Sequence, residues 1–224
     1  MNLKIRTWEM RHNDPSFSGV VLPPHPSAGD GKKTVIIHGK KVTKLSPRSR
    51  WPGAELWGVT RCNVIYWHES LPDWTRWFDV HPVHPTDYHL GILLKRPEAW
   101  AWYQRQDTSR PIYLLEAHPD VPASIAFPRQ MVQERLKTTR FTVSVDWMIG
   151  LALCEGFERI VLNGIGTRFE DDYQYAHKGI LYWMGRAEGM GVDLVIEGES
   201  CYHLPEKVYG YEIGAPEWQK VAHV

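Results

Sequence analysis

The stretch from residue 163 to 177 holds the residues best suited to chemistry, directly after the apolar run at 159–162. Its two glycines would let a ligand approach the backbone closely. Acids, tyrosines and a histidine follow, and these groups can donate or accept protons. His177 lies near the start of a predicted helix, where the dipole disfavours protonated imidazole, so it suits a general base; a surface helix residue is the alternative. The candidates in this stretch are Asn163, Gly164, Gly166, Tyr173, Tyr175 and His177.

A second candidate segment follows the apolar run at 34–38 and contains Gly39, Lys40, Lys41 and Thr43. Phosphate binds at this position of doubly wound folds, through backbone N–H groups after the first strand. The two lysines would add point charges and the threonine a hydroxyl. A solvated basic turn explains the same residues equally well, and both interpretations stay open.

Two more polar groups come at predicted element boundaries. Asn63 follows the run at 55–59, and its amide suits a base or a ribose hydroxyl, although asparagine is also common in turns for backbone reasons. Ser144 opens a helix predicted at 143–155, where unpaired N–H groups attract phosphate or carboxylate. A serine at such a position is also an ordinary helix cap, and Asp146 in the first turn would repel an anion.

The sequence departs from the common nucleotide motifs. It has neither the Gly-x-Gly-x-x-Gly of dinucleotide folds nor the Gly-Lys-Ser/Thr of a P-loop after its first strand. About 20 residues further on, where a dinucleotide site has an acid for the ribose, Thr60 and Arg61 stand instead. These departures disfavour a nicotinamide-dependent dehydrogenase.

Metal binding is weakly indicated. Asp79, His81 and His84 have a spacing that could hold a metal, but prolines within and after this segment favour an extended turn. The adjacent acids at 170–172 lack the spacing of a calcium loop and are better explained as solvated. We therefore predict no metal site.

Alternating strand and helix patterns position these segments. Short apolar runs followed by polar turns are typical of buried parallel strands, and the helical stretches between them favour right-handed crossovers. We predict an α/β, Rossmann-like, mostly parallel sheet with helices on both faces, whose strand ends converge on one crevice. The expected strands are 34–38, 55–59, 75–80, 111–115, 159–162 and 192–196, and the expected helices 97–106, 143–155 and 177–188.

Composition limits the classes of partner. Lys plus Arg and Asp plus Glu number 26 each, so no overall charge favours nucleic acid or an anionic membrane. No apolar run approaches the roughly 20 residues of a membrane span, and we expect a cytoplasmic protein. The breaker-rich residues 1–33 are predicted to be an extension and linker before one domain at 34–224. Tryptophans concentrated in the first half indicate an aromatic core or a self-association surface.

The segments 35–43, 61–63 and 142–164 resemble, in order and spacing, the bacterial lipooligosaccharide sialyltransferases. More distantly they are similar to the hydroxymethylpterin pyrophosphokinase and motility accessory factor group. The stretches 76–81 and 209–212 also look like uncharacterised phage-encoded proteins. The first resemblance implies a nucleotide-activated sugar donor and an inverting, metal-independent transfer with a histidine base and tyrosines near the leaving phosphate. Its donor contacts would be Gly39, Thr43, Asn63 and Ser144.

Three functions follow as hypotheses, and the sequence leaves open whether the chain is an enzyme. The first is a nucleotide-sugar-dependent glycosyltransferase in which His177 is the base, with no certain cofactor besides the donor itself. The second is a non-catalytic module that sequesters a nucleotide, favoured by Gly166 where the resembled family has aspartate. The third is a Mg²⁺-dependent phosphotransferase that would need Asp171 or Asp172.

Overall fold

The computed structural model describes residues 30–39, 50–59, 73–87, 90–166, 174–198 and 200–204, with only the backbone at 174. These residues form one sheet of seven strands, and every neighbouring pair is parallel. The strands are β1 Thr34–His38, β2 Glu55–Val59, β3 Arg76–Asp79, β4 Ile112–Leu114, β5 Ser124–Ala126, β6 Arg159–Asn163 and β7 Asp193–Glu197.

Five helices are described, all between strands in chain order, and the residues at their ends explain where two of them begin or end. The second helix begins with Pro97 in its first turn, where a missing N–H costs nothing. The fourth ends at Cys154 and is followed by Gly156, whose φ of 73° lets the N–H groups of residues 156 and 157 bond back to Leu153 and Ala152. The helices are α1 Gly91–Lys95, α2 Pro97–Gln104, α3 Arg129–Leu136, α4 Ser144–Cys154 and α5 Gln174–Gly189.

The strand order across the sheet is β5-β4-β3-β2-β1-β6-β7. Successive strands from β1 to β5 are added on one side of β1, whereas β6 and β7 lie on its other side. The order therefore reverses between β1 and β6, which pair in register from Thr34 opposite Arg159 to His38 opposite Asn163. The predicted α/β fold with a parallel sheet is confirmed, and all seven described strands are parallel.

Alternate residues of each strand face opposite helical layers. Val35 and Ile37 of β1 join the core beneath α3, α4 and α5, while Ile36 joins the core beneath α1 and α2. The predicted helices on both faces are thus present. Much of the packing is aromatic, and the predicted aromatic core includes six tryptophans that are under 9% exposed: Trp51, Trp57, Trp74, Trp77, Trp100 and Trp102.

The structure adds three elements that the sequence pattern did not predict, namely β5, α1 and α3. The chain divides into two units, 1–30 and 31–224, and every element described above belongs to the second. Residues 1–29 lie outside the described residues, so the predicted extension stays a prediction. Of the helices that can be described, none is both long and apolar enough to cross a membrane.

Helix α5 packs closely on the start of α4 because residue 179 is glycine. A Cβ built there would collide with the Thr142 hydroxyl and lie 2.5 Å from Asp146 Oδ2. We predict that Gly179→Ala lowers the free energy of unfolding by about 1–3 kcal/mol. Gly185 of the same helix has no neighbour within 4 Å of its Cβ position, so Gly185→Ala should stabilise by roughly 0.5–1 kcal/mol. Urea denaturation of both variants tests this, and equal stabilisation by the two would contradict the packing described.

Candidate functional site

A crevice of about 340 Å³ lies at the carboxyl edge of the sheet. Its walls come from the ends of β1, β2, β3 and β6, from the segment before α4, from the first turn of α4 and from the first two turns of α5. This volume is within the range of small-molecule sites. Among the predicted site residues, the structure brings together Gly39, Ser144, Gly164 and Gly166 as lining residues.

The first two glycines of the crevice, Gly39 and Gly164, continue the hydrogen bonds of the sheet past the ends of β1 and β6. The Gly39 N–H donates to the Asn163 carbonyl at 2.8 Å, and the Gly164 N–H donates to the Glu197 carbonyl at 2.8 Å. A Cβ on Gly39 would collide with the Gly164 carbonyl, while Gly164 has a φ of 62° that favours glycine. Both N–H groups are therefore used by the sheet, and a bound phosphate would need other donors.

Asn163 belongs to a buried polar network beside the crevice and is not among its lining residues. Its Nδ2 donates to Glu197 Oε2 at 3.3 Å, and Glu197 Oε1 accepts from Trp51 Nε1 at 3.1 Å and pairs with Arg50 at 3.1 Å. Burial lowers the pKa of the adjacent His38 to about 4, against the opposing effect of its hydrogen bond with Asn163. The network anchors β7 to β6, and burial keeps His38 neutral despite its contact with Asn163.

The start of α4 carries its own carboxylate. Asp146 Oδ2 accepts the Thr142 N–H at 2.7 Å and the Val143 N–H at 3.3 Å, and the Thr142 hydroxyl lies 2.7 Å away. Burial raises the pKa of Asp146 to about 6, and the hydrogen bonds from Thr142 and Val143 act in the opposite direction. Two N–H groups that could have bound an anion are thus occupied. Ser144, 7% exposed, still lines the crevice.

Helix α5 contributes Ala176 and Ile180 to the crevice wall. The His177 ring stacks on Tyr202, with centroids 5.1 Å apart and planes 20° from parallel, and His177 is not a lining residue. Tyr175 is 74% exposed, and its carbonyl oxygen lies 3.2 Å from the Thr142 hydroxyl. The catalytic roles assigned to His177 and Tyr175 stay predictions.

Several predicted site residues come from segments directly after β1 and β2 or before α5. The roles assigned to them stay predictions. Those outside the described residues are Lys40, Lys41, Thr43, Asn63 and Tyr173.

A histidine that the sequence analysis considered only for metal binding lines the crevice. His81 Nδ1 contacts Asp79 Oδ1, and Asp79 Oδ2 accepts a hydrogen bond of 2.7 Å from the Tyr103 hydroxyl. Asp79 is fully buried at the end of β3. The describable part of the chain holds no group of three or more His, Cys, Asp or Glu side chains that could bind a metal. The sequence feature that indicates this pair is the Asp-x-His spacing at the end of a predicted strand.

The remaining walls of the crevice are mainly apolar. Val59, Val143 and Ile165 line it together with Phe141 and Trp147, whose rings are stacked with centroids 3.7 Å apart. Apolar walls with a few polar groups are typical of sites that bind a small organic molecule. The crevice can therefore surround an apolar or aromatic group and offer hydrogen bonds at its rim.

Fold and crevice together define the class: an open, parallel α/β protein with a ligand-sized crevice where the strand order reverses. No family model matches the chain, and the searches of curated proteins and of solved structures found no match either. The resemblances drawn from the sequence therefore stay predictions.

The raised pKa of Asp146 predicts a pH-dependent stability difference. Because its folded pKa of about 6 exceeds the ordinary 3.8, the native protein loses stability from this group as pH rises from 4 to 7. Asp146→Asn removes that loss. The free energy of unfolding of the variant minus that of the wild type should rise over this range, by about 3 kcal/mol at most.

Asp107 provides a control of opposite sign. Hydrogen bonds from the Ser109 hydroxyl and N–H lower the pKa of Asp107, so the corresponding difference for Asp107→Asn should fall as pH rises. Urea denaturation from about pH 2 to 7 measures both, because the difference for Asp146→Asn develops above its ordinary pKa of 3.8 and that for Asp107→Asn mostly below it. A flat or falling difference for Asp146→Asn would show that its carboxyl is not held in a desolvated environment.

Proposed function

We propose that the crevice binds a nucleotide or a nucleotide-sugar. The observation that carries this proposal is the position of the crevice over the ends of β1 and β6, where the strand order reverses. In open parallel α/β sheets, ligands bind outside the carboxyl ends of the strands at such a reversal. The proposed ligand class rests on this position and on the resemblance of 35–43 and 142–164 to nucleotide-sugar-dependent enzymes.

The lining suits the two halves of such a ligand. Val59, Val143 and Ile165 offer apolar surface to a base or a sugar face, and Ser144 offers a hydroxyl. Because the sheet uses the N–H groups of Gly39 and Gly164, the phosphate needs donors from the residues that follow them. In this proposal Lys40, Lys41 and Thr43 supply those donors and Asn63 contacts the base or ribose.

The reaction that we propose is an inverting transfer of the sugar from its nucleotide to a hydroxyl group. The support for this step is the family resemblance together with a histidine at the crevice wall, His81. A non-catalytic module that holds the same nucleotide would share the binding geometry. Analysis of products after incubation separates the two functions.

A thermal-shift panel tests the binding proposal directly. We expect at least one nucleoside mono- or diphosphate, or its sugar conjugate, to raise the Tm. At 100 times its Kd a ligand adds ~2.7 kcal/mol, which for a domain of this size is about 5–10 °C. A panel in which no nucleotide or nucleotide-sugar raises the Tm would contradict the proposal.

A matched pair of variants locates the site. Gly166 is exposed and lines the crevice, so Gly166→Trp should obstruct the ligand and abolish the shift. Gly185 is exposed on α5, is not a lining residue and has no neighbour within 4 Å of its Cβ position, so Gly185→Trp should keep the shift. Equal shifts in both variants would place binding elsewhere on the protein.

A further inference from the structure

The Asp79–His81 pair lies where the end of β3 meets the crevice. His81 lines the crevice with about 29% of its side chain exposed, whereas the Asp79 side chain is completely buried. A partly exposed imidazole held by a buried carboxylate is the arrangement that orients a histidine for proton transfer. By contrast His38, the histidine next to the network of Asn163 and Glu197, is fully buried.

Both carboxylate oxygens of Asp79 are occupied. The Tyr103 hydroxyl, from α2, donates to Oδ2 at 2.7 Å, and Oδ1 contacts His81 Nδ1. Tyr103 is itself fully buried, so it fixes the carboxylate from the core side. A carboxylate at Nδ1 selects the tautomer with its proton on that nitrogen, which gives Nε2 the lone pair.

The backbone after His81 is also fixed. The Pro82 carbonyl accepts the Ile92 N–H at 2.9 Å, and the Val83 carbonyl accepts the Leu93 N–H at 3.2 Å. These two bonds tie the turn to the first residues of α1. The imidazole is therefore constrained on both sides, by Asp79 through its ring and by α1 through the following backbone, as a preorganised catalytic group requires.

We propose that His81 is the general base of the crevice and that Asp79 and Tyr103 are its positioning residues. The inference rests on the proposed function. An attacking hydroxyl, of a sugar or of water, gives its proton to Nε2 while its oxygen forms a bond to the anomeric carbon. The bond from that carbon to the phosphate oxygen breaks, and the electron pair leaves with the nucleotide. The proton passes to solvent when the products dissociate.

The geometry favours His81 over His177 for this role. His81 is a lining residue with a carboxylate at Nδ1, whereas the described contact of the His177 ring is a stack on Tyr202 outside the lining. A base must come within hydrogen-bond reach of the proton it removes, directly or through one water. His81, in the wall of the crevice, lies where a bound ligand could come within this reach, whereas His177 lies outside the lining.

The test compares the wild-type chain with His81→Gln, and with His84→Gln as a matched control from the same turn. The probes are CMP-, UDP- and GDP-linked sugars, with simple sugars or water alone as the hydroxyl donor. Nucleotide release should fall by roughly 10²–10⁴-fold in His81→Gln while its nucleotide-induced Tm shift is unchanged. His84, an exposed residue, should be replaceable without loss.

The role of the positioning residues has a readout independent of turnover. Ring ¹⁵N shifts of His81 in the wild type should show the proton on Nδ1. Asp79→Asn should change that signature and, by favouring the wrong tautomer of His81, lower kcat by roughly 10²–10⁴-fold with KM unchanged. Tyr103→Phe is a milder change and should have the same effects to a smaller degree. It therefore serves as the test if Asp79→Asn does not fold.

The outcomes separate the two proposals. The assignment of His81 as the general base is overturned if the wild type binds a nucleotide but releases none from any donor. It is also overturned if His81→Gln is as active as the wild type. In both cases the binding proposal is unaffected. A neutral His81 ring with its proton on Nε2 also overturns this assignment. A wild type whose Tm no nucleotide changes overturns the proposed function and the base with it.

Discussion

The pairing of β1 with β6 is the constraint on which the rest of the structure depends. The two strands are far apart in sequence, yet they run side by side from Thr34 opposite Arg159 to His38 opposite Asn163. Their ends approach so closely that no side chain fits at Gly39 against the Gly164 carbonyl. In the sheet, β2 is the other neighbour of β1 and β7 is the other neighbour of β6. The chain therefore turns away from the pair on both sides, and a crevice opens above the ends of β1 and β6. The walls added by α4 and α5 depend on the same constraint.

Much of the sheet could be predicted from the sequence because its strands are short apolar runs ended by polar turns. The predicted runs at 34–38 and 55–59 coincide with β1 and β2. Strand β5 could not be found in this way, since it is three residues long, lies at the sheet edge and is partly exposed. Helix α3 buries only Val132 and Leu136, too few apolar positions to show a helical period. Tertiary pairing determines both elements.

The site was predictable only to the level of which loops meet. Parallel topology brings the segments after β1 and β6 to one edge whatever their side chains are, and Gly39, Gly164 and Gly166 do line one crevice. The occupied N–H groups of Gly39 and Gly164 could not be foreseen, because they depend on neighbouring strands. Likewise the position of the Asp79–His81 pair depends on Tyr103, which lies in α2, 24 residues further along the chain, and donates a hydrogen bond to the Asp79 carboxylate. In the sequence, the spacing of these residues is compatible with a metal site, and the prolines favour an extended turn instead.

The most direct test of the central claim is a backbone amide NMR titration of the protein with nucleoside monophosphates and their sugar conjugates. Binding at the reversal of strand order predicts that the largest shift changes lie at the carboxyl edge, including Ser144, Ile165 and Gly166. Amides at the opposite edge, such as those of Lys33 and Glu158, should stay unchanged. Shift changes centred on that opposite edge, or none with any ligand at millimolar concentration, would contradict the account.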